Sequence, residues 1–149
     1  MTSSIAVEVL PHTSASLLKD IIEPARTALL LIDVQVDFVS PEGVIGMAGV
    51  DMSSITSAID KMETLRAAAK AQGATVAFLR VVTREETDSD ALKNLYEWRG
   101  RPGQHAICRA DEPGSDYFRL FPEEGDIDVE KALFDGFFGT DLEEQLRAR

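Results

Sequence analysis

Apolar residues in this chain gather in runs whose spacing names the element each run forms. Ala28 to Ile32 are consecutive apolar residues that lead straight into Asp33, within the stretch Thr27 to Phe38, TALLLIDVQVDF. A run without polar alternation predicts a strand buried on both faces of a parallel sheet. Such a strand ends here in a carboxylate, and the carboxyl ends of parallel strands face the ligand crevice, so Asp33 is the first candidate for chemistry. The competing reading is that Asp33 only caps a turn. Pro41, Gly43, Gly46 and Gly49 then mark a loop on the crevice side.

From Ser53 to Gln72 the apolar positions Ile55, Ile59, Met62, Leu65 and Ala69 recur at spacings of three and four, predicting one face of a helix with Gly73 as its stop. Ala74 to Val82, ATVAFLRVV, returns to a mostly apolar, β-branched run. Strand, helix and strand make a right-handed crossover with parallel pairing. Asp126 to Lys131 predicts a further short strand with Ile127 and Val129 on one side, ending in Lys131. The class is α/β, a three-layer αβα arrangement around a doubly wound, mainly parallel, Rossmann-like sheet. Thr140 with Glu143 three residues later is a capping-box signature, and Leu142 and Leu146 begin an apolar stripe behind it.

Between these elements, Thr83 to Gly125 carries charges, the aromatics Tyr96, Trp98, Tyr117 and Phe118, and loop signals at Gly100, Pro102, Gly103, Pro113 and Gly114. So long a connection is read as an ordered cover over the crevice. At the other end, Met1 to Pro24 is mixed in character, and residues 1–26 are expected to form an N-terminal arm preceding a single domain over 27–149.

Charge and cysteine content narrow the function classes. Lys and Arg number 15 against 26 Asp and Glu among 149 residues, a net charge of −11 that argues against nucleic acid or an anionic membrane as partner. Cys108 is the one cysteine, which rules out an intrachain disulfide and favours a reducing compartment, so a cytoplasmic location is expected. No apolar run approaches the ~18 residues of a membrane span.

The ends of the predicted strands bring Asp33 and Lys131 to one rim, as a functional pair or as an ordinary salt bridge. The motifs around them resemble the isochorismatase-like cysteine hydrolases, the superfamily of isochorismatase, nicotinamidase, N-carbamoylsarcosine amidohydrolase and the biuret and ureidoacrylate hydrolases. Asp33-Val34-Gln35-Val36-Asp37-Phe38 matches D-x-Q-N-D-F, with Val36 where Asn is usual. Lys131 to Leu142, KALFDGFFGTDL, matches K-x-x-x-S-x-F-x-x-T-x-L, with Asp135 where Ser is common. The resemblance covers Ala28 to the end.

The resemblance implies an Asp-Lys-Cys triad in which Asp33 takes the thiol proton and later helps activate water, while Lys131 holds charge beside the thiolate. It makes Phe38 and Phe137 pocket residues. The family's nucleophile follows the next strand, so the expectation is that this chain is the N-terminal portion of a longer hydrolase, incomplete at its C-terminus, and that the thiol lies beyond Arg149; the first strand would then be an open apolar edge. Cys108 lies upstream of Lys131 and is read as passive or pocket-lining. Asp51 is followed by Met52 and Ser53 rather than a D-x-H, and His12 and His105 lack ligand spacing, so neither a metal nor any other cofactor is expected.

The reading that follows is cleavage of a small amide or ureido C–N bond, the FFGTDL ending favouring the ureido and biuret branch. Two alternatives stand beside it: an isochorismatase-type vinyl-ether hydrolysis that needs no thiol, and a non-catalytic binding or assembly subunit. Partners are a small-molecule substrate and other copies of the chain in a homo-oligomer.

Overall fold

The computed structural model describes residues 22–149; the greater part of the expected N-terminal arm, residues 1–21 with His12, lies outside the described residues. A single 3₁₀ turn at Pro24–Arg26 leads into the first strand, β1 (Ala28–Ile32). Two one-turn helices, α1 (Val36–Val39) and α2 (Val44–Met47), precede the long helix α3 (Ser53–Ala71), which returns the chain to β2 (Thr75–Val81). Helix α4 (Asp90–Trp98) lies in the long connection, and β3 (Ile127–Lys131) and α5 (Leu142–Arg147) complete the element order. The sheet order is β1-β2-β3 with both pairings parallel, Leu31 opposite Phe78 and Leu79 opposite Val129.

Period-two alternation of the strands feeds two separate cores, and this makes the three layers. Leu31, Val76 and Phe78 point to one face and meet Ile59 of α3, with Val34 and Leu120 closing the cluster. Ala77, Leu79, Ile127 and Val129 point to the other face and meet Leu142 of α5. Phe78, wholly buried, meets the Tyr117 ring edge-on at 5.4 Å between centroids, a geometry that aromatic quadrupoles favour.

Helix α3 ends as its sequence prescribes. Gly73 adopts φ +77°, its amide donates to Lys70 O, and the Ala74 amide donates to Ala69 O. This is a Schellman closure, which needs a residue free of left-handed strain at that position. One expected stripe residue is corrected: Leu65 is exposed, and Arg66 takes the inward position, its guanidinium over the Phe78 ring at 5.2 Å and bonded to the buried Asp126 at 3.1 Å. The stem of an Arg covers apolar surface while its head keeps a charge partner, so an inward Arg satisfies the helix period as well as a Leu would.

Two further expectations change. The unbroken run of β1 predicted burial on both faces, but β2 is the strand so buried; among the described residues β1 is a sheet edge, with Ile32 49% exposed. The capping box at Thr140 and Glu143 does not form. Asp141 is the N-cap of α5, and Thr140 Oγ1 donates instead to Gly136 O at 2.6 Å, tying down the preceding turn.

No helix among the described residues is long and apolar enough to cross a membrane.

Candidate active site

The carboxyl ends of the three strands meet at one rim, and the segment Asp33 to Phe38 is built around it. Asp33 leaves β1 in the left-handed region, φ +58°, while its amide still donates to Leu79 O at 2.9 Å. A non-glycine residue in that region is uncommon and costs of order 1 kcal/mol, tolerated where surrounding contacts hold it. The contact that holds it is Lys131, whose Nζ lies 3.0 Å from Asp33 Oδ1 and donates to Oδ2 at 3.2 Å and to Leu133 O at 3.0 Å. Lys131 reaches across the end of β2, since parallel strands are ~4.8 Å apart and β1 and β3 flank β2 on opposite sides.

Burial distinguishes this pair from a surface ion pair. Lys131 is 3% exposed, whereas the Asp33 side chain is 33% exposed. Asp33 Oδ1 is sealed from solvent and accepts no hydrogen bond of good geometry although the ammonium lies at 3.0 Å. The ammonium charge is what compensates that oxygen, and the accessible part of the carboxylate is therefore on the Oδ2 side. Oδ2 uses one lone pair on Lys131 and keeps capacity to accept a proton.

The other polar residues of the first motif have structural duties that sequence reasoning left unassigned. Gln35 is wholly buried: its Nε2 donates to Val81 O and to Ser115 O, each at 2.8 Å, and its Oε1 accepts from the Val81 amide at 2.8 Å. It takes up the Val81 groups on the edge that β1 leaves free beyond Ile32, while β3 pairs Val81 through Lys131 on the other side. Asp37 ties the neighbouring loops, its Oδ1 accepting from the Val44 amide at 3.4 Å and its Oδ2 from the Cys108 amide at 2.8 Å. Gly114 sits against the Asp37 carboxylate so closely that a Cβ there would overlap it. Asp-x-Gln-x-Asp is thus one ion-pairing residue and two that fasten the loops around it.

Beside the rim lies a cavity of about 570 Å³, with Asp33 in its wall. Phe38, Val44, Val50 and Leu92 give it an apolar lining, and Phe134 of the second motif, itself largely exposed, borders it. Of the two phenylalanines expected to be pocket residues, Phe38 lines this cavity. Phe137 does not: it lies outside this lining and is 52% exposed, because the Asp135 carboxylate accepts the Phe137 amide at 2.9 Å and turns the chain outward there. Gly136 packs against Leu79 with no room for a Cβ, which fixes the turn.

Helix α4 supplies the opposite wall and was not resolved by sequence reading within the long connection. Its signals were local. Ser89 caps it, Oγ accepting the Leu92 amide at 3.1 Å, and Leu92 and Tyr96 at a spacing of four both line the cavity. His105 also lines it, with Nε2 3.5 Å from Asp88 Oδ2, while Trp98 stands exposed at the helix end.

Cys108 is adjacent, in surroundings that do not favour a nucleophile. It is fully buried, with φ +52°, and its carbonyl accepts the Thr83 amide at 2.9 Å. Burial pushes its thiol up to about 12; the Asp37 and Asp33 carboxylates add to the rise, and Lys131 opposes it. Such a placement disfavours the thiolate, the form that attacks. Among the described residues no group of three His, Cys, Asp or Glu side chains is disposed to hold a metal ion. The Asp51 carboxylate is occupied by Ser53, whose amide and hydroxyl hold its carboxyl below the usual range.

Comparison with known proteins places this geometry. The Isochorismatase domain family matches residues 27–149. Ureidoacrylate amidohydrolase RutB of Cronobacter turicensis is 32% identical over 142 residues, covering 85% of this chain and 59% of that protein. RutB of Stutzerimonas stutzeri is 33% identical over 140 residues, covering 84% of this chain and 55% of that protein. Among solved structures, a cysteine hydrolase from Pseudomonas syringae pv. phaseolicola superposes with a TM-score of 0.65 at 27% identity, covering 85% of this chain and 56% of the other. Pyrazinamidase of Pyrococcus horikoshii, solved with zinc, gives 0.59 at 26% identity, covering 83% and 64%. The chain therefore spans less than two thirds of the length of these relatives. With the family match running from the start of β1 through both motifs to the last residue, the chain belongs to the isochorismatase domain family.

Proposed function

We propose that this domain serves the hydrolysis of a C–N bond in a small amide or ureido compound, with Asp33 as the base, Lys131 as the fixed cation, Phe38 on the substrate wall, and the attacking thiol supplied by a cysteine outside residues 1–149. The observation that carries the proposal is the buried Lys131 ammonium 3.0 Å from the carboxylate of Asp33, a partly exposed residue in the wall of a cavity of about 570 Å³. Similarity to ureidoacrylate amidohydrolases supports the ureido class of substrate.

The chemistry follows from the charges. Asp33 Oδ2 accepts the thiol proton, and the thiolate attacks the substrate carbonyl carbon. Lys131 favours the thiolate, as a neighbouring cation does, and keeps the carboxylate aimed through its two-point contact. The tetrahedral adduct collapses as the C–N bond breaks, the proton held by Asp33 passing to the departing nitrogen. Asp33 then takes a proton from water as the water oxygen attacks the carbonyl carbon of the thioester or thiocarbamate, the C–S bond breaks to release the carboxylic or carbamic acid, and the departing thiolate regains the proton held by Asp33. No cofactor is consumed.

The test is ammonia release from a panel of primary amides and ureido acids by the protein carrying the domain and its thiol, with Asp33→Ala and Lys131→Ala each expected to lower kcat/KM by about a thousandfold. Unchanged turnover in Asp33→Ala removes the base. Release of a keto acid from an enol-ether substrate, with no ammonia from any amide, assigns the site to vinyl-ether hydrolysis instead.

A further inference from the structure

Part of the cavity lining consists of apolar side chains that stand half exposed. Val44, Ile45 and Ala48 come from α2 and its C-terminal cap, at the spacing of one helical face, and Val50 follows the left-handed Gly49. Val44 and Val50 are 44% and 49% exposed, and Leu133, in the same lining, is 42% exposed. Scattered apolar residues are ordinary on a surface. Several gathered in one concavity mark a place where something is received.

Local sequence fixes this wall. Gly43 lies so close to the Val36 carbonyl, and Gly46 to the Ser40–Pro41 link, that neither has room for a Cβ, so α2 lies directly on α1. The Met47 and Ala48 amides donate to Gly43 O and Val44 O at 2.9 and 3.1 Å, and Asp37 Oδ1 accepts the Val44 amide. A wall built this way stands before a ligand arrives, so laying a ligand against it costs little ordering of the protein. Among the polar lining, Asp33 is paired with Lys131 and Thr83 Oγ1 donates to Ile107 O at 2.7 Å; the rest, Arg101, Gln104 and His105, comes from one short stretch after α4. The apolar side is left to a ligand of its own kind.

Resting on the hydrolase reading, we propose that the substrate carries, beyond the C–N bond presented to Asp33, an uncharged hydrocarbon body, an alkyl chain or an aromatic ring, that lies against Val44, Val50 and Leu133. The ureidoacrylate of the RutB relatives is small and charged, and would leave these side chains facing water. The cavity of about 570 Å³ falls within the roughly 300–1,000 Å³ that takes ligands of drug size. Net charge points the same way, since −11 opposes the approach of anions and leaves a neutral compound unaffected. Each methylene that leaves water for this wall tightens binding about fourfold, and binding gained away from the reacting bond can be used to hold that bond at Asp33.

Binding measured without turnover tests this. With the 149-residue chain, calorimetry or ligand-observed NMR along propanamide, butanamide, pentanamide and hexanamide should show affinity rising about threefold to fourfold per added methylene, with 3-ureidopropionate bound more weakly than hexanamide. Benzamide beside hexanamide tells a ring from a chain. The double variant Val44→Ser, Val50→Ser should flatten the series with little change in the unfolding midpoint, because both side chains are already half exposed. Val50→Asn, outside every helix and strand, gives a second reading: hexanamide weakened about threefold or more, propanamide hardly at all. Met47→Ser removes an exposed apolar side chain outside the lining and should leave the series intact, which separates the cavity from general adhesion. A flat series, binding of no amide, 3-ureidopropionate bound as tightly as hexanamide, or a slope that survives both cavity variants overturns the proposal. If the slope holds but the protein carrying the domain and its thiol hydrolyses none of these amides, the hydrolase reading fails and the apolar site stands; if they are hydrolysed with kcat/KM level along the series, the reverse is true.

Discussion

Lys131 Nζ and Asp33 Oδ1 are 3.0 Å apart although the two residues are 98 positions apart in sequence. The pair spans the end of β2 without touching solvent on the lysine side, so neither partner can be removed without leaving the other exposed to an unfavourable surrounding. We expect Lys131→Met to lower stability by about 1–3 kcal/mol in urea melts, because Asp33 Oδ1 then sits sealed from water with no compensating charge. Asp33→Asn should cost a comparable amount by stranding the buried ammonium. A change below about 0.3 kcal/mol in both would mean the pair relaxes freely into solvent and is no fixed device.

Gln35 is a second place where one side chain answers for several buried backbone groups. Gln35→Ala unpairs Val81 N, Val81 O and Ser115 O together. The expected loss is about 2–4 kcal/mol, read as a lower urea midpoint with an unchanged slope. Because these bonds hold the β2 end of the rim, the same variant should lose turnover even under conditions where it remains folded.

Cys108 gives a chemical prediction. Its raised thiol, pushed up to about 12, and its complete burial should make it inert to iodoacetamide at pH 8 in the native state and reactive once urea unfolds the chain. Cys108→Ala should leave turnover within about threefold of the parent. Rapid native-state labelling accompanied by loss of activity would give Cys108 a catalytic part that its burial argues against.

The acid limb of the stability curve should carry the signature of Asp88. Arg109 bonds both Asp88 oxygens, at 3.0 and 2.6 Å, and holds the carboxyl below the usual carboxylate range against the opposing push of burial. A carboxyl whose folded value is depressed adds stability that is present in full above its unfolded value of about 4 and is lost as pH falls through the folded value. Asp88→Asn should therefore be less stable than the parent at pH 7, with the difference shrinking toward pH 2. A constant difference across that range would show that Asp88 acts by packing alone.

Local chemistry was enough to set the elements. The apolar runs at Ala28–Ile32 and Thr75–Val81, the three-and-four spacing of α3 and the left-handed Gly73 each carry their structure in adjacent residues. So does the placing of Asp33 and Lys131 at strand ends, because parallel pairing sends those ends to the same rim. Helix α4 was equally local in its Ser89 cap, yet the surrounding prolines, glycines and charges hid it among loop signals.

What only the tertiary structure decided are contacts between distant segments and the direction in which each side chain leaves a turn. Gln35 reaching Val81 and Ser115, Asp37 reaching Cys108, Arg66 replacing Leu65 on the inner face, and Phe134 rather than Phe137 at the cavity all depend on which group happens to lie opposite once the layers close. Periodicity along a chain fixes which residues share a face; it carries no information on the partner that face will meet, and burial and charge compensation are properties of the partner.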